Sequence, residues 1–301
     1  MYTQTDLKEL PNNNPIILQN STCVYCHQKL NSHISTKEHV IARRFVPKGF
    51  LDQSWNLIVK ACRECNSKKA DLENDISAIT LQAENAGNTE MEKILLKEAY
   101  RKGKNSISNI TKKPVKDSFV KGKIEGPINK DFNLKIELIA PPQIQPSRVF
   151  ELSKMHILAF FYFITFNKES RTGQFPVGKF YPILEAPQSD WGNDIHLAFM
   201  KEVINWEIRW IGNGAKGFFK SAIRKHPDHL CWSWAIEWNQ YLRIVGLMGD
   251  PAISRTLINS LPKLTASAAK LNDNGSDMIM VRPEKKLKSE DDCLFSWQSE
   301  G

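Results

Sequence analysis

Two C-x-x-C pairs, Cys23 with Cys26 and Cys62 with Cys65, stand 35 residues apart and restrict this chain more than any other feature. A tight turn carrying two thiols can present both sulfurs to one tetrahedral zinc at ~2.3 Å, and closing the intervening loop through the metal pins both ends together. Four thiolates complete the tetrahedron. The spacing therefore predicts a structural Zn2+ that contributes to folding and takes no part in catalysis. His27 and His33 lie close by in sequence but are not needed as ligands. Cys231 and Cys293 have no C-x-x-C partner; the first suits a strand interior and the second an exposed tail. Thiols kept for metal rather than for disulfides fit a reducing compartment.

The 301 residues exceed one domain of roughly 100–200, so two domains or a long extension are expected. With 41% hydrophobic residues the chain can bury a core. Its net charge of +8 is unevenly placed: residues 1–150 carry 23 basic against 16 acidic groups, residues 151–301 carry 18 against 17. Ten bases between 101 and 135 face only Asp117, Glu125 and Asp131, which points a polyanionic partner at the N-terminal half. The opening MYTQTDLKELPNNNP has no basic region followed by an apolar run, and the most apolar stretch, 155–166, falls short of the ~18 residues of a membrane span. The expectation is a cytoplasmic protein without a membrane partner.

Periodicity gives an α+β organisation. Residues 1–21 read as a polar lead-in, 22–85 as a compact metal-bound domain, 86–147 as a helix and basic connecting segment, and 148–301 as a C-terminal mixed α+β domain. Helical spacing over 61–100, broken near 86–88, predicts two successive helices. Alternation over 119–124 and 132–139 predicts a basic hairpin. Helices are expected at 149–166, 194–210 and 251–261, and strands at 218–225, 231–238 and 242–247, followed by an acidic tail after Ser289. In the middle strand Trp232, Trp234, Ile236 and Trp238 share one face, which suits a core better than a stacking platform for bases. His226 and His229 flank a proline turn and read as structural.

Around the cysteine pairs stand Glu38-His39, Asn56-Leu57 and Cys65-Asn66, with Lys69 three residues on. In order and spacing this resembles the HNH endonuclease family over residues 22–80. The resemblance implies a ββα-metal fold on a treble-clef zinc scaffold, with one catalytic divalent ion, Mg2+ or Mn2+. By the same resemblance His39 is the general base and Glu38 and Asn66 supply oxygen ligands. Asn56 braces the hairpin loop, and Lys68 and Lys69 at the helix start meet phosphate. Arg43 and Arg44 follow the base closely and suit phosphate contact. The sequence departs from the family pattern at Glu38, where Asp is usual, and at Ala42, where Pro often follows the His.

These residue types suit phosphodiester hydrolysis. An imidazole of ordinary pKa about 6.5 can take a proton from the attacking water near neutral pH. A hard cation held by carboxylate and amide oxygens stabilises the charge developing on phosphorus and the leaving oxygen. The resemblance favours DNA as substrate and a prokaryotic defence or mobile-element setting. One such site cuts one strand per encounter, so a double-strand break would require a homodimer or repeated nicking. Two other readings stay open: a non-catalytic, zinc-dependent nucleic-acid-binding protein, and a nuclease gated by a ligand or protein bound to the C-terminal domain.

Overall fold

The computed structural model describes residues 14–52, 54–81, 90–129, 132–264, 267–270, 278–281 and 283–296. The expected helix break at 86–88 and residues 1–13 of the lead-in lie outside them. The four-cysteine unit is a short mixed sheet running into a helix. Strand β1 (Ile16–Ile17) pairs parallel with β3 (Leu57–Cys62), and β2 (Ser35–His39) pairs antiparallel with β3 on its other side. β3 passes without a loop into α1 (Arg63–Thr80), and α2 (Glu90–Asn105) follows.

The polar lead-in is corrected over 14–21. Ile16 takes up register with Leu57, Leu18 is buried, and the buried Asn20 carboxamide donates to Lys60 O (2.8 Å) and accepts from Lys60 N (2.8 Å). The asparagines that signal a turn there hide two apolar residues that complete the sheet edge.

The basic hairpin is present as β4 (Val120–Asn129) and β5 (Phe132–Ala140), antiparallel to each other. Next comes α3 (Pro146–Ile164), with proline in its first turn, where the missing N–H costs nothing. From Met155 to Ile164 it is buried all round, as a helix apolar on every face must be. Beneath it lies a five-stranded antiparallel sheet in the order β6 (Lys179–Pro187), β10 (Leu242–Gly249), β9 (Cys231–Trp238), β8 (Phe219–Lys225), β7 (Glu207–Gly214). Helices α4 (Asp194–Val203) and α5 (Pro251–Ser260) are capped by Asn193 and Asp250, whose side chains accept from the first-turn amides. A small hairpin, β11 (Ser267–Lys270) and β12 (Met278–Val281), precedes the C-terminal segment.

One expectation fails here and one element went unread, each for an identifiable reason. The helix predicted over 194–210 stops at Val203, and 207–214 form a strand. Trp206, Ile208 and Trp210 satisfy a two-residue period as well as a helical one, and pairing with β8 decides between them. β6 escapes prediction because Pro182 and Pro187 interrupt it. An edge strand tolerates them, and the register with β10 shifts opposite Pro182, between Val245 and Gly246.

Both faces of β9 are buried. The tryptophan face joins α3 and the four-cysteine unit in one continuous core that runs from Leu18 to Met248. The opposite face packs with Phe199, Met200, Val203 and Leu294. The boundary expected at 148 therefore does not separate two hydrophobic cores. Trp55 crosses it, with its ring 5.4 Å from Trp210 and 6.0 Å from Phe160 and its Nε1 donating to Asn213 O at 2.7 Å. Arg148 at the start of α3 pairs with Asp71 (2.8 Å) and Asp75 (3.0 Å) of α1. The expected acidic tail also docks: Asp292 pairs with the buried Arg243 at 2.7 Å, and Leu294 is buried. No helix among the described residues is long and apolar enough to cross a membrane.

Candidate metal centre and adjoining cleft

The four cysteines converge. Cys23 and Cys26 sit on a turn closed by Cys23 N donating to Gln28 O (2.8 Å), and the left-handed backbone of His27 (φ 63°) lets the chain reverse. Cys62 is the N-cap of α1 and Cys65 lies in its first turn. Their sulfurs all lie within 4.8 Å of one another, and Cys26 Sγ is 3.8 Å from Cys62 Sγ. The edge of a tetrahedron with 2.3 Å metal–sulfur bonds is about 3.8 Å. Burial pushes the Cys23 thiol up to about 11 and the Cys65 thiol upward as well, whereas hydrogen bonds from the neighbouring cysteines outweigh burial at Cys62 and hold its thiol low. The cluster can hold a structural metal ion, and the all-thiolate set fits zinc. It is the one group of three or more such ligands among the described residues, and His27 packs against Phe175 and Tyr162 instead.

From this anchor β2, β3 and α1 position the remaining residues. Asn56 is buried just before β3; its Oδ1 accepts from Ile41 N (3.2 Å) and its Nδ2 donates to Ile41 O (2.7 Å). Those two bonds fix the backbone two residues beyond His39. Asn66, one residue past Cys65, donates through Nδ2 to Thr36 Oγ1 (2.9 Å) and so lashes α1 to β2. His39 ends β2, and its Nε2 has no hydrogen-bond partner among the described residues. Partial burial, with Arg43, Lys37 and Lys69 nearby, holds its imidazole below the usual histidine range.

Lys69 does not meet phosphate as expected. It is 1% exposed, and its Nζ lies 2.6 Å from Glu73 Oε1, 2.8 Å from Glu38 Oε1 and 3.3 Å from His39 O. Three acceptors around one ammonium compensate for its desolvation, and the two carboxylates outweigh burial to hold its pKa up. Burial would raise Glu73, but Lys69 and the nearby His156 reverse that and keep it low. Glu38 goes the other way. Burial raises its carboxyl more than the shared Lys69 lowers it, and Tyr25 donates to the same Oε1 at 3.1 Å. Lys68 is exposed and paired with Glu151 of α3.

These elements wall a cleft of 730 Å³. Glu38, His39 and Asn66 all line it, and the exposed Lys37, Arg43, Arg44 and Arg101 give it a basic rim. Sequence reading missed Glu73, Asn74 and Arg101 as lining residues. The signal was there: Asn66, Ala70, Glu73, Asn74 and Ser77 recur at three- and four-residue steps along one face of α1. Lys102, counted among the bases of the connecting segment, is buried; it donates to Phe45 O (3.2 Å), Val46 O (3.2 Å) and Ser77 Oγ (2.8 Å), and burial lowers it to about 7. Its role here is to tie α2 to the loop after His39.

No protein family model, curated protein or solved structure matches this chain.

Proposed function

We propose that the chain is a metal-dependent endonuclease of HNH type that hydrolyses DNA phosphodiesters, with His39 as general base. The observation that carries this reading is the convergence of His39, Glu38 and Asn66 on one basic-rimmed cleft beside four clustered thiols. The donor set suits a hard divalent ion. With Asn66 Nδ2 committed to Thr36, its Oδ1 is the atom a cation would meet, and Glu38 has Oε1 committed and Oε2 to offer. When bound, Mg2+ or Mn2+ supplies charge stabilisation at phosphorus and the leaving oxygen. His39 takes the proton of the attacking water as the new P–O bond forms, and the departing oxygen leaves with the electrons of the old bond and is protonated by solvent. Asn56 holds the His39 segment in place, and Arg43 and Arg44 bind flanking phosphates.

A second reading rests on the contact between Lys69 and Glu38. A carboxylate already neutralised by a buried ammonium is a weaker cation ligand, which favours a non-catalytic, zinc-dependent nucleic-acid binder. Incubation with supercoiled plasmid separates the two. A nuclease nicks it with Mg2+ or Mn2+ and stops on addition of a chelator. A binding module retards the plasmid in a gel and leaves it intact.

A further inference from the structure

A second cavity, of 630 Å³, lies where the C-terminal segment crosses the end of α1 and the β9–β10 turn. From it we infer a binding site for a small anion carrying a flat ring, of the size and chemistry of a nucleoside monophosphate. Its volume falls within the ~300–1,000 Å³ of small-molecule sites. The residues lining it include Phe218 and Tyr241, Asn239 and Gln240, and the exposed Lys286 and Lys288, while Trp191, also on the wall, has the Arg243 guanidinium 3.8 Å from its ring centroid. The acidic group on that wall, Asp292, is already paired with Arg243. An anion is thus favoured, rings give a planar group apolar contact, and carboxamides can read its polar edge.

Two features set this turn apart from an ordinary hairpin corner. Asn239 and Gln240 both hold left-handed backbone (φ 54° and 56°), and the second position usually takes glycine in such a turn. A glutamine there holds a strained backbone and lines the cavity. Asn239, 5% exposed, leaves Oδ1 without a hydrogen-bond partner among the described residues, while its Nδ2 donates to Thr80 Oγ1 (2.8 Å) and to Phe45 O (3.3 Å).

That last bond joins the two cavities. The Phe45 carbonyl also accepts from Lys102 and Ser77, all three residues lining the His39 cleft. A ligand that engages Asn239 pulls on the same carbonyl that fixes the loop after His39. Occupancy of this site biases the shape of the cleft, whatever reaction the cleft performs.

The full-length, zinc-loaded protein should be titrated by calorimetry with AMP, GMP, CMP and UMP, and separately with adenosine and inorganic phosphate. Saturable binding of at least one mononucleotide below about 1 mM is expected, tighter than either fragment, and lost in Lys286→Glu/Lys288→Glu, whose exposed positions leave the fold intact. Hydrogen exchange across residues 39–46 should slow on binding. No mononucleotide binding, binding of phosphate alone, or affinity unchanged in the double variant would overturn the site. Binding without any change at 39–46 would overturn the coupling. Neither readout depends on DNA cleavage.

Discussion

Lys69 is the residue whose neighbours matter most to the cleft, because one buried ammonium serves Glu38, Glu73 and the carbonyl of His39. Removing one partner of such a cluster strands charge in the interior, so Lys69→Met should cost about 3–5 kcal/mol in denaturant unfolding, and Lys69→Met/Glu73→Gln should recover part of it. His156 is fully buried among Phe45, Phe219 and Trp238, and burial lowers it to about 4. Its folded pKa lies below the unfolded value of about 6.5, so the unfolded chain binds more protons between those limits and stability falls as pH drops through them. The loss should approach about 3 kcal/mol by pH 4, and His156→Phe should flatten that part of a melting-temperature profile against pH. The lowered His39 works in the same direction on catalysis, since a base must be neutral. The acid limb of the cleavage rate should therefore lie below pH 6.5, the ordinary histidine value.

At the scale of elements, the join between the four-cysteine unit and the sheet is tight enough to leave no room for a methyl group. A Cβ on Gly212 of β7 would sit 2.7 Å from Trp55 Cζ2 and 2.8 Å from Trp210 Cζ2. Gly212→Ala should cost about 1–3 kcal/mol, measured by chemical denaturation, with the melting of both halves affected together. Elements set by strong local patterns were legible in the sequence: α3, the strands containing Trp232 to Trp238 and Leu242 to Leu247, α5, and the cysteine pairs. What escaped was set by tertiary context. β6 reads poorly because two prolines are acceptable only at a sheet edge, and β7 reads as helix because Trp206, Ile208 and Trp210 satisfy both periods. Similarly, convergence of Cys23, Cys26, Cys62 and Cys65 followed from spacing and the bracing by Asn56 from the family resemblance, whereas the burial of Lys69 and Lys102 followed from neither. A lysine's partners are invisible until the helix face that carries them is known.

For the whole molecule, a core that runs from Leu18 to Met248 implies that the N-terminal half depends on the C-terminal half to fold. A fragment of residues 1–147 would expose Trp55, Phe45 and the face of α1 that meets α3, and should show the loose tertiary packing of a partly folded chain by near-ultraviolet circular dichroism, even with zinc. Stripping the metal from the intact protein should unsettle the β2–β3–α1 unit first, since the four thiols hold its two ends, while the five-stranded sheet retains slow-exchanging amides. The assembly thus joins a thiol-anchored cleft to a large sheet through shared packing, and the cleft's chemistry is where the account is most exposed. The most direct test compares intact protein with His39→Ala, both loaded with zinc and matched in circular dichroism, on supercoiled plasmid with Mg2+ or Mn2+. Nicking by the intact protein is expected, with a loss of at least about 100-fold in the variant, at unchanged zinc content. Equal nicking by both proteins, or none by the intact protein with either metal, would contradict it.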